Sequence, residues 1–232
     1  MYLLRGNYLG VARRNIASTP AIGAAAVNAL LAGPSSSEKN AGLSSAVPGD
    51  SRLLGLSISS GTATANFNSG YATPGSPASE LQRVAQVVFT LTQFPTVVRV
   101  AFQVDGVTPL RFASGAVDLR EPLGRSDVTA ALPPILVESP AVGDALHGSL
   151  HVSGVTNVYE AQFRVKLIDG AGRVLVDQPV RANAGTGTWG AFDTTFHFTA
   201  MSTTMSTLRV YDVSMKDGSP IDEVDLRMPA GP

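Results

Sequence analysis

Residues 76–104, SPASELQRVAQVVFTLTQFPTVVRVAFQV, start as a helix and finish as a strand. The Ser76 hydroxyl can accept from a free N–H of the first helical turn, and Pro77 suits a first position that needs no N–H. Leu81, Val84, Val88 and Leu91 recur at helical spacing, with Ala85 beside them, and form one apolar stripe. Pro95 lacks an N–H and drives Phe94 out of the helical region, so it stops the helix. Beyond it Val98, Val100, Phe102 and Val104 share one face of a strand, and Asp105-Gly106 turns the chain. Burying each larger apolar side chain is worth roughly 1.5–3 kcal/mol. This helix–strand unit is therefore expected at the centre of the first core.

Working back towards the N-terminus, Tyr2–Ile16 reads as two short strands broken at Gly6-Asn7 and Gly10. Thr19-Pro20 repeats the cap-then-proline signal before a helix over Ala21–Leu31, which Gly33-Pro34 ends. Ser35-Ser36-Ser37-Glu38 is a capping box for a short helix reaching Gly42. Leu53–Ser59 and Thr62–Phe67 flank Ser60-Gly61 as a hairpin. A last strand around Pro109–Phe112 completes an α+β domain over residues 1–118.

Residues 119–134 hold no sustained period and end in Pro133-Pro134, which favours extended chain, so they read as a linker. From Ile135 the period becomes two. Ile135–Ser139, Ser149–Val155, Val158–Asp169, Arg173–Asn183, Ala191–Thr199, Ser206–Met215 and Ile221–Met228 read as about seven strands. Tyr159, Ala161, Phe163, Val165 and Leu167 alternate with polar residues, and Phe192, Phe196 and Phe198 do the same. Residues 135–232 are therefore expected to form an all-β, immunoglobulin-like sandwich.

Composition removes whole classes of function. With 232 residues, 44% of them apolar and 15% charged, the chain can bury two ordinary cores. A net charge of −1 argues against a nucleic-acid partner. No apolar run is long enough for a membrane-spanning helix. The absence of cysteine excludes disulfides, thiolate metal sites and cysteine nucleophiles. Met1-Tyr2-Leu3-Leu4 already reads as strand. The protein is then either cytoplasmic or separated from an export signal.

Candidate chemistry is sparse. His147 and His151 could share a metal with Asp144, or serve a hydrolase with Ser149. They fall in a turn and a strand, however, and no G-x-S-x-G elbow is present. Asp222, Glu223 and Asp225 could offer oxygens to calcium, or simply charge an edge strand against aggregation. The glycine-rich loop Gly185–Gly190 has no lysine in the phosphate-loop position and precedes a strand, so it reads as a turn. Its Trp189 either pins the end of the sandwich or offers a flat face to a sugar ring or a protein. Arg5, Arg13 and Arg14 form a small basic group that could meet lipid headgroups or wall polymer. Trp189 and these three arginines make up the candidate binding surface. No catalytic residue, metal site or cofactor is assigned.

Two family resemblances rest on particular residues. Ala29–Pro34, then Glu38, Gly42-Leu43 and Pro48, and later Thr90–Pro95 with Val98, Val100, Phe102 and Asp105-Gly106, resemble the GerMN domain over residues 2–118. Leu136–Pro140, Val142–Asp144, Val152–Gly154, Asn157–Ala161, Gly185–Gly187 with Gly190 and Phe192, and Asp217–Pro220 resemble the Gmad-type immunoglobulin-like domain of bacterial spore germination. That domain follows GerMN in such proteins, as it does here. The resemblance implies an extracytoplasmic, often lipid-anchored envelope protein with no catalytic residues to carry over. Any membrane anchor would lie in a segment outside this sequence. A related ring-building fold implies that self-assembly is conceivable. Expected partners are other envelope proteins, further copies of the chain, or cell-wall polymer. The rival functions are a wall-polysaccharide-binding module using Trp189 and, last, a hydrolase.

Overall fold

Short hairpins and one long helix build the first half of the chain. In the computed structural model, which describes residues 1–198 and 205–230, the chain divides into two compact units. One holds Met1–Leu9 and Arg14–Leu132; the other holds Gly10–Arg13 and the chain from Pro133 onward.

In the first unit Gly6, at a φ of +58°, lies between β1 (Tyr2–Arg5) and β2 (Tyr8–Val11). Helix α1 (Ile22–Leu31) begins one residue later than expected. Thr19 Oγ1 accepts from Ala21 N at 3.2 Å, but no side chain caps the helix itself. Helix α2 (Ser36–Asn40) has its capping box: Ser35 Oγ accepts from Glu38 N, and Glu38 Oε2 accepts from Ser35 N. Strand β3 (Leu43–Ser44) then pairs with the free side of β1.

The second sheet of this unit has the order β4-β5-β6, with β4 (Leu53–Ser59), β5 (Thr62–Phe67) and β6 (Arg99–Val104). Ser60 and Gly61, both at positive φ (48° and 79°), form the two-residue turn that suits the twist of a hairpin. Strands β5 and β6 run parallel, and α3 (Pro77–Leu91) carries the chain between them. Ser76 Oγ accepts from Ser79 N at 3.2 Å and Pro77 takes the first helical position. Val84, Val88 and Leu91 are fully buried, with Phe67 stacked on Tyr71 at 4.0 Å between ring centres.

Two features of this unit differ from the sequence reading. Helix α3 ends at Leu91, ahead of Pro95, with Thr92 as its C-cap; the Thr92 N–H and hydroxyl both donate to the Val88 carbonyl, at 2.9 and 2.7 Å. Val98 lies outside β6 and is 64% exposed, whereas Val100 and Phe102 are buried as expected.

After β7 (Arg111–Phe112) and β8 (Val117–Asp118), the stretch read as a linker carries structure of its own. A kinked 3₁₀ segment spans Arg125–Ala131, and Leu119, Val128, Ala131 and Leu132 are buried. The Arg125 guanidinium sits 4.6 Å from the Phe89 ring centre. Val128, Ala131 and Leu132 stand at helical spacing, but the run is too short, and too close to Pro133-Pro134, to announce an element.

The second unit contains β9 (Ile135–Ser139), β10 (Ser149–Thr156), β11 (Gln162–Ile168), β12 (Val174–Arg181), β13 (Gly190–His197), β14 (Ser206–Val213) and β15 (Pro220–Met228). They form two antiparallel sheets, β13-β10-β9 and β12-β11-β14-β15. Phe163, Val165 and Leu167 of β11 meet Val152 and Phe192 in one core, with the Phe163 and Phe192 rings 4.7 Å apart. The architecture is mostly β: an α+β domain, then an immunoglobulin-like sandwich with seven strands among the described residues. Thr199, the last residue of one expected strand, lies outside the described residues.

Candidate functional site

Buried polar residues on α3 are the first place to look for chemistry, since burial shifts acidity and orients groups. Glu80, Arg83, Gln86 and Thr90 are all buried. Each is committed to backbone. Arg83 donates to the carbonyls of Ala46, Tyr71 and Thr73 at 3.0, 2.6 and 2.8 Å. Gln86 accepts from Ala46 N and donates to Tyr2 O. Thr90 Oγ1 accepts from Tyr2 N. Glu80 accepts from Gly75 N, Ser114 N and the Ser114 hydroxyl. Burial opposes ionisation of Glu80, but those donors outweigh it and hold its carboxyl below the usual range. These side chains tie loops to the helix.

The sandwich offers a cleft instead. An open cleft of about 210 Å³ is walled by Tyr159, Glu160, Arg164, Pro179, Asp212 and Met215, among others. Tyr159 was expected to alternate inward with Phe163, yet it is 53% exposed. Tyr159–Ala161 form a 3₁₀ turn with Glu160 and Ala161 at φ +52° and +57°, which breaks the alternation before β11 begins. No sequence signal marks these two positions, because neither is the glycine that such backbone favours. Arg164 donates to Asp177 Oδ1 through Nε and Nη2, at 3.1 and 2.6 Å. Burial pushes the Asp212 carboxyl up from its ordinary value, and nearby Asp222 adds to the effect.

The loop bearing Trp189 is tied to the Tyr159 loop. Gly187 N donates to Asn157 Oδ1 at 2.8 Å, and Glu160 N donates to Thr186 Oγ1 at 2.9 Å. The glycines of this loop answer to packing: a Cβ on Gly190 would lie 2.1 Å from the Ala184 carbonyl oxygen. Trp189 is half-buried and is not among the walls of the cleft.

The structure places the three arginines apart in role. Arg5 donates to Ala41 O, and Arg13 pairs with Asp144 at 3.0 Å. Arg14 pairs with Glu38 and donates to the carbonyls of Ala29 and Gly33 at 2.7 Å each. It thus satisfies the end of α1. His147, His151 and His197 are all exposed. His151 Nε2 lies 3.0 Å from Asp193 Oδ1, a carboxylate on the neighbouring strand, on an exposed sheet face. Asp144 is occupied by Arg13 and the Ala141 N–H. Glu223 and Asp225 both hold Arg209, at 3.1 and 2.7 Å. Among the described residues no group of three or more acidic or histidine side chains is arranged to hold a metal ion.

Comparison with known proteins divides the chain in the same way. Residues 4–110 match the sequence model of the Germane family, described as sporulation and spore germination. Residues 134–219 match Gmad2, the immunoglobulin-like domain of bacterial spore germination. No curated protein matches the chain. Three solved structures are similar to parts of it. A Clostridium perfringens protein described as a lipoprotein is 24% identical, covering 48% of this chain and 72% of its own, with a TM-score of 0.43. The first GerMN domain of the sporulation protein GerM from Bacillus subtilis is 22% identical, covering 50% and 89%, at 0.44. The tandem GerMN domains of GerM are 16% identical, covering 84% and 59%, at 0.49.

Proposed function

Because the chain is a Germane (GerMN-type) domain followed by a Gmad2 immunoglobulin-like domain, we propose that it is a non-enzymatic protein that works outside the cytoplasm. It binds or assembles with other components of the cell envelope. The observation that carries this reading is the pairing of two germination-associated domains in one chain. The commitment of the buried polar residues of α3 to backbone supports it, because those groups are spent on structure and not on a substrate. No helix among the described residues is long and apolar enough to cross a membrane.

The test is fractionation of the host cell, with protease added to intact cells and cross-linking in isolated envelopes. The reading expects the protein in the envelope fraction, open to protease from outside and cross-linked to envelope proteins. Recovery in the cytoplasm, or turnover of an envelope substrate by the purified protein, would overturn it.

A second reading, binding of wall polysaccharide, draws on Trp189 and the half-exposed Tyr159, which sit on two loops bonded to each other. Aromatic faces beside polar groups suit sugar rings. Saturable co-sedimentation with cell-wall sacculi, lost in a folded Trp189→Ala protein, would favour it over protein–protein assembly.

A further inference from the structure

The sheet edges of this protein are not all defended alike. An exposed edge strand presents unpaired backbone groups that invite another strand, and proteins blunt such edges with charge, proline or short length. Strand β15 carries Asp222, Glu223 and Asp225; β12 carries Asp177 and Pro179; β13 carries Asp193. The far edge of the first unit's larger sheet, β6, is bridged at Val100 by Leu123. Strand β4 reads LLGLSIS. It has seven residues, no charge and no proline, and among the described residues nothing pairs with its outer side.

Two of its apolar side chains are also exposed. Ile58 is 46% exposed and Leu54 54%. Helix α1 packs over part of this face, where the Cβ position of Gly23 would lie 3.1 Å from Leu56 Cδ2 and 3.7 Å from Ile58 Cδ1. The ladder register shifts between Leu53 and Gly55, which leaves Gly55–Ser59 as the regular part of the strand. Ser59 and Thr62 flank the two-residue turn and are the first bonded pair. Ser57 and Ser59 therefore bond to β5, and the N–H and C=O groups of Leu56 and Ile58 point to the open edge.

We infer that β4 is a self-association edge, pairing antiparallel with β4 of a second copy of this chain about a two-fold axis at Ser57. A two-fold contact sets every side chain of the patch against the same patch, so any charge there would meet its own sign. This strand has none. Leu56 of each copy then lies opposite Ile58 of the other, and the two three-stranded sheets become one of six. The inference gives the assembly reading above a partner and a surface, and rests on that reading only for its biological use.

The test is sedimentation of the purified chain from about 10 μM to about 1 mM, where a self-association must depend on concentration. Wild type is expected to dimerise. Ile58→Lys should weaken the dimer at least about tenfold, because it sets a lysine against an apolar partner twice per dimer. Val174→Lys, on the defended edge β12, should leave it unchanged. A second variant keeps the fold untouched: Ser57→Cys, in a chain without cysteine, should give a disulfide-linked dimer on mild oxidation. Facing residues of a non-bonded antiparallel pair lie about 4.5 Å apart, within disulfide reach. A monomer at every concentration overturns the inference. So does a dimer that Ile58→Lys leaves intact and Ser57→Cys does not cross-link. Either result leaves the envelope reading standing, since that is decided by fractionation.

Discussion

Glu80, in the first turn of α3, holds Ser114 from 34 residues away, accepting from its N–H at 3.1 Å and from its hydroxyl at 2.8 Å. The same carboxylate accepts from Gly75 N at 2.9 Å, so one buried acid ties the loop before α3 to the turn between β7 and β8. Hydrogen bonds to a charged acceptor contribute about 1.5–3 kcal/mol. Glu80→Gln should lower unfolding stability by about that much in a urea titration at neutral pH. The folded carboxyl ionises below its ordinary value. Its contribution is thus present above the unfolded value and is lost as pH falls through the folded one. The gap between Glu80→Gln and wild type should therefore close in acid.

Arg14 is the matching device for α1. Its guanidinium reaches Glu38 and two carbonyls at once, which only a forked donor can do. Arg14→Ala should cost on the order of 2–4 kcal/mol, since it leaves Glu38 nearly buried without its partner. Arg14→Lys should recover less than half of the loss, read as the shift in the thermal midpoint. The hydrogen bonds from Arg14 are the main reason the Glu38 carboxyl lies below its usual range, opposed by burial. In wild type this stabilisation fades as pH falls through the depressed value; in Arg14→Ala that fading should be absent.

Gly154 sits where β10 changes register against β9, and a Cβ there would lie 2.0 Å from the Leu136 carbonyl oxygen. No side-chain rotation relieves a clash with backbone. Gly154→Ala should unfold the sandwich or cost at least about 4 kcal/mol. At Gly148 the space is open and only the positive φ of 76° is at stake, so Gly148→Ala should cost about 1–3 kcal/mol. Trp189 is the only tryptophan. Its fluorescence on heating reports the second unit and separates the two variants.

Arg209 provides the contrast. It holds Glu223 and Asp225 on an exposed strand face. Water and salt screen such pairs, and Arg209→Ala should change stability by less than about 1 kcal/mol. A larger loss in a thermal melt would mean that the pair is coupled to the edge strand more tightly than its exposure implies.

Local patterns were legible where one residue type makes one physical demand. The Ser76-Pro77 start of α3, the Ser35–Glu38 box, the Ser60-Gly61 turn and the alternation in seven strands could all be read, because each is settled by near neighbours along the chain. The two-domain order was legible for the same reason. Tertiary structure alone decided which polar residues are buried. Arg83 and Gln86 belong to a helix face that periodicity assigns to water, and loops distant in sequence cover it instead. It also decided that residues 119–132 pack into the first unit, that Tyr159 leaves its strand face, and that Arg5, Arg13 and Arg14 each serve a different carbonyl or carboxylate. An amphipathic pattern records which side chains avoid water. It carries no information about which distant backbone groups will need a donor, and those needs place the polar residues of this protein.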